Sequence, residues 1–571
     1  MLAVICGILI VNLLGIFIWS TFLSSAISPK SAPIPSSGVL KLDLSKLTIA
    51  EQGSANLNIN ESSRTTIGIR KVTEALAIAA VDPGVKCLYL KTDGASIGIG
   101  NIQELRRALE AFRSSGKAIV AYMENPTTGT LYLASAADKV YMSSYQGGNP
   151  LFTGVSTQLI FLGDALERLG IKVQLIRHGK YKSAGEMYIR SSSSAENRQQ
   201  NQEMVDSMWE TMAAEIAGSR GLEKEDLDFA IDNLRLCMPV DFVEYGLVDE
   251  LLDRNALENK LAVLAQVEDF SQLSMIPFAD YADSKSRNNF RSSKRLAIVY
   301  ANGQVVDGYD PQNLDGDRFA SIFEDLRRDS TVKAVVLRVN SPGGSVVASE
   351  KIRNELDLLC EVKPVIASFG DYAASGGYWI SSGANKIYAN ATTLTGSIGV
   401  FGMIPNLSSL YKDKLHIGVE TVSSNKHADM YSLNRPLSSE ELAYIQRSIE
   451  SIYTKFLAIV ASGRDMTPAE VDEIAQGRVW TGADALEIGL VDELGTLDDA
   501  LRYAALAAGD AQISNWNIVE YPAEKSLIDQ LSEMFSNNTP DFSVYSKWFD
   551  NWSQGKHEYT FAALPFVPMF N

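Results

Sequence analysis

The stretch DSTVKAVVLRVNS, residues 329–341, repeats a pattern that the chain already carries as DPGVKCLYLKTDG at residues 82–94. The same spacing brings DKVY, residues 138–141, onto NKIY, residues 385–388, without a gap. Recurrence of one pattern at a fixed long spacing is typical of an internally duplicated domain. The sequence therefore predicts two copies of one fold.

A third match sets the ends of the copies, because YGLVDEL at residues 245–251 recurs as IGLVDEL at residues 488–494 after a shift of a few residues. We place the first copy at residues 38–255 and the second at residues 295–510. Residues 256–294 are interpreted as a linker, since the stretch that ends it is polar and basic, as in an exposed connector.

Each copy is predicted to be an α/β domain. Short apolar runs rich in β-branched residues are typical of strands that are covered on both faces, and amphipathic helix patterns lie between them. Longer amphipathic helices are predicted at residues 194–220 and 437–464. Strand, helix and strand in this order favour right-handed parallel crossovers. In the second copy the predicted strands are LAIVYANG (296–303), KAVVLRV (333–339), PVIASF (364–369) and NKIYAN (385–390).

Residues 1–27 contain no charged side chain. Residues 2–23, LAVICGILIVNLLGIFIWSTFL, are long enough to cross a bilayer as a helix that rises about 1.5 Å per residue. We predict a transmembrane anchor here, with the rest of the chain on one side of the membrane. A cleaved signal peptide is the alternative, since Ser24, Ser25 and Ala26 loosely fit a cleavage site, but the apolar core is longer than is usual there.

The C-terminal tail, residues 511–571, is rich in aromatic residues, among them Trp516, Trp548 and Trp552. Aromatic residues at this density either lie at a membrane interface or pack against the folded body. Packing is the simpler interpretation and the one that we prefer.

The charge balance restricts the partners. The 571 residues carry a net charge of −18, and the sequence pI is about 4.9. Such a surface repels a phosphate backbone, which argues against nucleic acid as a partner. The four histidines show no HExxH or similar spacing, so we predict neither a histidine-built metal site nor a cofactor.

The two copies differ where chemistry could occur. In the second copy a predicted strand leads into NSPGGS, residues 340–345, whereas the aligned residues 93–98 of the first copy read DGASIG. A Gly-Gly pair after a strand can turn backbone N–H groups outward toward an anion or oxyanion. For the dipeptide alone, an ordinary tight turn is the simpler explanation.

A second difference concerns Ser375, which follows the PVIASF strand and aligns with Thr128 of the first copy. A serine between Ala374 and Gly376 at a strand-to-helix junction can expose its Oγ and place the next N–H beside it. A helix N-cap serine explains the same residue equally well.

A serine nucleophile needs a base. The histidines are poor candidates, although the sequence does not exclude His427. A desolvated lysine can serve, because desolvation favours its neutral form. Lys180 and Lys182 follow the alternating run KVQLIRH and share one face if that strand continues. Copy two lacks this pattern, so the candidate base and the candidate nucleophile lie in different copies.

Four motifs together resemble the signal peptide peptidase A family in its long, two-repeat form: NSPGGS, GDYAASGGYWIS (370–381), LTGSIGVFG (394–402) and GKYKSA (179–184). The resemblance implies a membrane-anchored serine peptidase with a fold like that of the Clp protease and crotonase superfamily. It implies Ser375 as nucleophile and Lys182 as general base, and Ser397 as the residue that orients the lysine.

The resemblance also implies oxyanion donors, partners and a location. The donors would be the backbone N–H groups of Gly376 and of the turn at Gly343 and Gly344. The partners would be signal peptides and other hydrophobic peptides, membrane lipid, and further copies of the chain in a homo-oligomer, a tetramer in the family. The chain would cross the inner membrane once, with its catalytic part on the extracytoplasmic side, and the dyad could form across neighbouring subunits.

Two other functions compete with this hypothesis. A crotonase-like enzyme acting on an acyl-CoA would use the same Gly-Gly turn for an enolate, but it gives no role to GKYKSA. A catalytically silent membrane scaffold predicts the loss of the serine or of the lysine, and the sequence contains both.

Overall fold

The computed structural model describes residues 34–53, 64–145, 150–285 and 287–523, together with the backbone strand at residues 560–563. The predicted anchor, residues 1–27, lies outside these residues and stays a prediction. In the part of the chain that the structure describes, no helix has both the length and the apolar character needed to cross a membrane.

The first repeat alternates strands with helices. Its described strands are β1 (Gly38–Asp43), β2 (Leu47–Ala50), β3 (Thr65–Gly68), β4 (Val85–Lys91), β5 (Ser96–Ile97), β6 (Ile119–Met123), β7 (Lys139–Ser143), β8 (Lys172–His178), β9 (Glu250–Leu252) and β10 (Met275–Pro277). Its described helices are α1 (Ile69–Val81), α2 (Ile99–Arg113), α3 (Thr128–Ala134), α4 (Gly163–Arg168), α5 (Glu186–Ile189), α6 (Ala195–Arg220), α7 (Lys224–Asp232), α8 (Pro239–Glu244), α9 (Arg254–Leu264) and α10 (Phe278–Ser284).

The second repeat follows the same alternation. Its described strands are β11 (Arg295–Asn302), β12 (Val305–Val306), β13 (Leu314–Asp315), β14 (Val332–Ser341), β15 (Gly343–Ser345), β16 (Val365–Ala374), β17 (Lys386–Ala389), β18 (Leu394–Gly396), β19 (Val400–Asn406), β20 (Val479–Thr481), β21 (Glu493–Leu494) and β22 (Asn517–Tyr521), and β23 (Thr560–Ala563) lies in the tail. Its described helices are α11 (Gly316–Arg328), α12 (Val346–Cys360), α13 (Gly376–Ser381), α14 (Ser439–Arg464), α15 (Pro468–Ile474), α16 (Gly482–Glu487) and α17 (Leu497–Ala507).

The two main sheets have the same strand order. The first runs β10-β1-β4-β6-β7-β9, and the second contains the equivalent path β22-β11-β14-β16-β17-β21, with β18 and β20 added beside β16. Neighbours along both paths are parallel. The predicted duplication and the predicted parallel α/β architecture are therefore confirmed.

The predicted strands and long helices of the repeats also occur, with small differences at their ends. The PVIASF strand is longer than expected, because β16 continues to Ala374. The helix predicted at residues 194–220 is α6, whose N-cap Ser194 accepts a hydrogen bond from the Asn197 N–H. Gly221 ends that helix at φ +67°, a conformation that glycine adopts without strain.

A third sheet joins the repeats, in the order β13-β12-β15-β23-β19-β8. Strand β8 of the first repeat pairs antiparallel with β19 of the second, from His178 opposite Val400 to Lys172 opposite Asn406. The end of β8 is thereby fixed against the second repeat, and the GKYKSA motif begins at the next residue, Gly179.

The structure corrects two predicted boundaries. Most of the predicted linker, residues 256–294, is folded: α9 and α10 lie within or across it, and β10 pairs with β1 at the edge of the first sheet. The second repeat extends beyond residue 510, because β22 pairs with β11. At the start of the tail Trp516 is buried, as the packing interpretation predicts, whereas Trp548 and Trp552 lie outside the described residues.

One large hydrophobic cluster contains residues of both repeats. Buried side chains of the second sheet, including Leu296, Ile298 and Val336, pack in the same cluster as first-repeat residues such as Leu40 and Leu88. Burial of apolar surface between the repeats stabilises them as one body.

A buried ionic cluster lies within this shared region. Arg338 of β14 is fully buried, and its guanidinium donates hydrogen bonds to the carboxylates of Glu51 and Glu104, each at 2.6 Å. Both carboxylates come from the first repeat. Burial raises the pKa of Glu51 to about 7, although the Arg338 charge acts in the opposite direction. The cluster therefore couples the repeats through ionisable groups that are almost completely buried.

Candidate active site

Ser375 lies where β16 ends and α13 begins, and its backbone has φ +55°, an uncommon conformation for a residue other than glycine. It occupies the N-cap position of α13, but its side chain makes no capping hydrogen bond. Ser375 is therefore the N-cap residue by position, but its hydroxyl does not cap the helix. Its Oγ is directed to a different partner, and strained backbone of this kind is frequent at functional sites.

That partner is Lys182. The Nζ atom of Lys182 lies 2.7 Å from the Ser375 Oγ, and it lies 3.0 Å from both the carbonyl oxygen and the Oγ of Ser397. Both Lys182 and Ser375 are fully buried. Burial lowers the pKa of the Lys182 ammonium well below its ordinary value, so the neutral amine is favoured.

The three contacts suit a neutral amine, which has two N–H donors and one lone pair. The Ser397 carbonyl can only accept a hydrogen bond, so it takes one N–H, and the Ser397 Oγ can take the other. The lone pair then remains for the Ser375 hydroxyl. Ser397 itself has φ +49°, and its N–H donates to the Arg478 carbonyl, which fixes this backbone in place.

The structure separates the two candidate lysines, because the strand does not continue through both. β8 ends at His178, and Gly179 then turns the chain at φ +102°. Lys180 is exposed, with its Nζ over the Tyr181 ring, whereas Lys182 points into the protein. His427, which the sequence left open, contacts Glu441 through its Nδ1 at 2.9 Å.

Both halves of the pair belong to one chain. The pairing of β8 with β19 carries Lys182 from the first repeat to Ser375 in the second without a second copy. Of the two arrangements that the sequence left open, within one chain or between chains, the structure has the one within a single chain. The physical reason is the shared core and the third sheet, which the sequence repeat alone does not reveal.

The predicted oxyanion glycines lie beside Ser375. A Cβ atom built on Gly376 would lie 3.0 Å from the Gly344 nitrogen, so the two backbones are in close contact. The N–H of Gly343 donates to the Ser341 Oγ at 3.2 Å. Gly344 must be glycine, because a Cβ there would lie 2.0 Å from the Val305 carbonyl oxygen.

Sequence reasoning missed the residues that enclose Lys182. A Cβ on Gly477 would lie 2.5 Å from the Lys182 Cβ, and one on Gly399 would lie 3.2 Å from its Cδ. Arg177 donates from Nη1 to the Lys182 carbonyl at 2.7 Å. Single glycines in loops carry no signal of their own, so only the folded chain identifies Gly477.

In the described part of the chain, no group of three or more His, Cys, Asp or Glu side chains is arranged to hold a metal ion. The chemistry available at this site is that of an amine, two hydroxyl groups and backbone N–H groups.

The family model for "Peptidase family S49" matches the chain twice, at residues 111–268 and 358–510. The chain belongs to peptidase family S49. Each match falls within one of the two repeats, so this S49 peptidase is a duplicated member of its family. The resemblance found in the motifs is thereby confirmed.

Individual proteases are similar to this S49 peptidase over most of its length. Protease 4 of Salmonella typhi is 34% identical over 559 residues, which cover 92% of this chain and 86% of the relative. Protease 4 of Haemophilus influenzae is 34% identical over 496 residues, covering 83% and 80%. The chloroplastic serine protease SPPA of Arabidopsis thaliana is 32% identical over 470 residues, covering 81% and 68%. Similarity to these proteases over most of the chain identifies a serine protease and favours neither the acyl-CoA enzyme nor the silent scaffold.

Proposed function

We propose that this S49 peptidase hydrolyses peptides with a Ser375/Lys182 dyad. The observation that carries the proposal is the 2.7 Å contact between Lys182 Nζ and Ser375 Oγ. Both residues are fully buried. A general base must lie within hydrogen-bond reach of the proton that it removes, and it must be unprotonated at the working pH.

The mechanism follows from these contacts. The neutral Lys182 amine takes the proton of the Ser375 hydroxyl while Oγ attacks the carbonyl carbon of the scissile peptide bond. The carbonyl oxygen of the substrate then becomes an oxyanion. The N–H groups of Gly376 and Gly344 are the preferred donors to that oxyanion, since the Gly343 N–H already donates to Ser341. Lys182 then protonates the leaving amine, and water releases the acyl group by the same route. Ser397 holds the amine in register throughout.

We further propose that the substrates are cleaved signal peptides and other hydrophobic peptides. Residues 2–23 form an uncharged apolar segment that would hold the enzyme at the membrane, where such peptides reside. We propose that this segment crosses the inner membrane once, that the catalytic part faces the extracytoplasmic side, and that the enzyme assembles as a homo-oligomer. Hydrolysis of a synthetic signal peptide, compared with a polar peptide of equal length, tests the substrate class, and equal rates would contradict it.

Lys180 and Lys182, which lie in the same loop after β8, provide a matched test of the dyad. Lys182→Ala should lower kcat by about 10²–10⁴-fold, which is the usual contribution of a general base. Lys180→Ala, two residues away on the exposed side, should retain most of the activity. Ser375→Ala should abolish both hydrolysis and labelling by a fluorophosphonate probe while the protein stays folded. Wild-type turnover in Lys182→Ala would discard the dyad.

A further inference from the structure

The loop that carries Lys182 lies between two fixed elements. It begins after His178, the last residue of β8, and β8 is paired along its length with β19 of the second repeat. It ends at α5, whose first residue is Glu186. Because strands hold side chains more precisely than loops do, a side chain on β8 can serve as a fixed support for the loop.

Arg177 of β8 makes such a contact. Its Nη1 donates a hydrogen bond to the Lys182 carbonyl oxygen at 2.7 Å and another to Glu186 Oε1 at 3.1 Å. Since this nitrogen carries two N–H groups, it can make both bonds at the same time. The guanidinium thus joins three parts of the first repeat, namely the strand, the backbone of the proposed base and the start of α5.

Glu186 is held from a second direction. Its carboxylate is buried, and it accepts hydrogen bonds from Ser194 Oγ at 2.7 Å and from Asn197 Nδ2 at 3.3 Å. Burial acts to raise the pKa of the Glu186 carboxyl, but hydrogen bonds from Ser194 and Arg177 outweigh it, so the pKa is lowered. The carboxylate therefore stays charged and keeps the guanidinium of Arg177 oriented.

Gln200 of α6 restrains the two residues beside Lys182. Its Nε2 donates to the Tyr181 carbonyl oxygen at 3.0 Å and to Ser183 Oγ at 2.9 Å. These bonds fix the neighbours of Lys182, whereas the bond from Arg177 fixes the backbone of Lys182 itself.

We infer that Arg177 is a positioning residue for the proposed hydrolysis: its guanidinium, oriented by Glu186, fixes the backbone of Lys182 so that the amine reaches Ser375 Oγ. This inference rests on the proposed function and deepens it, because it makes the rate of the chemical step depend on a group outside the dyad. Arg177 acts through Lys182 and takes no proton itself, since a guanidinium stays protonated in proteins.

An ordinary ion pair is the competing explanation. The Arg177 side chain is 28% exposed and that of Glu186 only 1%, so Arg177 could serve merely to neutralise a buried carboxylate. That role predicts a loss of stability in Arg177→Ala, and it predicts a normal kcat once both charges have been removed. The two explanations therefore differ in kcat and not in the melting temperature.

The first test compares Arg177→Ala with Arg190→Ala in the full, detergent-solubilised chain, with an internally quenched peptide rich in Leu and Ala as substrate. A catalytic group misplaced by about 1 Å can lower the rate by about 10²-fold. Arg177→Ala should therefore lose about 10–10²-fold in kcat with little change in KM, and fluorophosphonate labelling of Ser375 should slow in parallel. Arg190 is exposed, and its Nε donates to the Ser192 carbonyl oxygen, so its variant should keep the wild-type kcat.

The partial exposure of Arg177 permits a chemical rescue. Methylguanidinium added to Arg177→Ala supplies the missing N–H donors between Glu186 and the Lys182 carbonyl, and it should recover part of the lost kcat. Tetramethylammonium, a cation without an N–H group, should recover none. Arg177→Lys retains a cationic donor and should be more active than Arg177→Ala.

A double variant keeps the test decisive if Arg177→Ala does not fold. Arg177→Met combined with Glu186→Gln leaves no unpaired buried charge, so this protein should fold. Its kcat should nevertheless stay about 10–10²-fold below that of the wild type, because the Lys182 carbonyl still lacks the donor that fixes it.

The outcomes separate the two levels of the argument. Wild-type kcat in the double variant would overturn the positioning role while Ser375 still labels and hydrolyses. So would the absence of any recovery with methylguanidinium together with an Arg177→Lys variant no better than Arg177→Ala. Equal hydrolysis by Ser375→Ala and by the wild type would instead overturn the proposed function, and the inference with it.

Discussion

The contact between Gly477 and Lys182 gives a quantitative prediction about the site. In Gly477→Ala the new Cβ would lie 2.5 Å from the Lys182 Cβ and 2.7 Å from both its Cα and its nitrogen. Carbon atoms in favourable contact lie about 3.5–4.0 Å apart, so the lysine loop must retreat by about 1 Å. The flexible end of a side chain could absorb such a shift, but here the nearest atoms include backbone.

A displacement of this size moves the amine away from the Ser375 Oγ. Misplacing a catalytic group by about 1 Å can lower the rate by about 10²-fold. Overpacking should also cost about 1–3 kcal/mol of stability, and alanine at φ +78° about 1–2 kcal/mol more. We expect Gly477→Ala to fold, to lose about 10²-fold in kcat, and to label slowly with a fluorophosphonate.

Gly509→Ala is the matched control. Gly509 has φ +92°, but no atom lies within 4 Å of a Cβ built on it. This variant should show the same kind of backbone strain without a contact on the lysine, so its melting temperature should fall while its kcat stays close to the wild-type value. Wild-type kcat in Gly477→Ala, or an equal loss of kcat in both variants, would refute the reasoning.

Four further predictions concern the dyad and the buried cluster. Arg338→Met should lower the free energy of unfolding by about 3–5 kcal/mol, because it leaves buried carboxylates unpaired. The control Arg328→Met, at an exposed position, should lower it by about 0.5 kcal/mol or less. Comparable urea midpoints for the two variants would contradict this. Because the pKa of Lys182 is lowered and its neutral form is active, activity should be lost as the pH falls through that lowered pKa, and a pH–rate profile with its acid limb near pH 10 would argue against the assignment. Ser397→Ala removes one hydrogen bond of about 0.5–1.5 kcal/mol from the amine, so kcat should fall by about tenfold or less and the acid limb should shift; an unchanged profile would remove its orienting role. Mixtures of Ser375→Ala and Lys182→Ala protein should stay inactive after verified subunit exchange, and recovered activity would show that the dyad can form between chains.

Much of the site could be predicted because its chemistry is encoded in short local motifs. Ser375 lies between small residues after an apolar strand, and the structure places it at the predicted strand-to-helix junction. The alternation of side chains along a strand could not decide between Lys180 and Lys182, because it applies only if β8 continues through both residues. The chain turns at Gly179, and this turn reverses the expectation of a shared face.

The parts that the sequence could not predict depend on contacts between distant segments. The pairing of β8 with β19 joins residues more than two hundred positions apart, and no local pattern specifies an antiparallel partner. The predicted linker was wrong for a related reason. The segment does end in a polar and basic stretch, as predicted. The residues before that stretch form β10 and α10, and β10 pairs with β1 at the edge of the first sheet, which composition does not reveal.

The pairing of β8 with β19 has a consequence for synthesis on the ribosome. The lysine strand emerges first, and its partner ends at Asn406, so roughly 10 to 45 s pass between them at 5–20 residues per second. During that interval no nascent chain can bring the proposed base and the proposed nucleophile together, so the proposed dyad cannot form within a chain until most of that chain has been made. The unpaired edge of β8 is meanwhile a template for wrong partners. The topology therefore delays the proposed activity until both repeats have been made, and it leaves the edge of β8 unpaired until β19 has been synthesised.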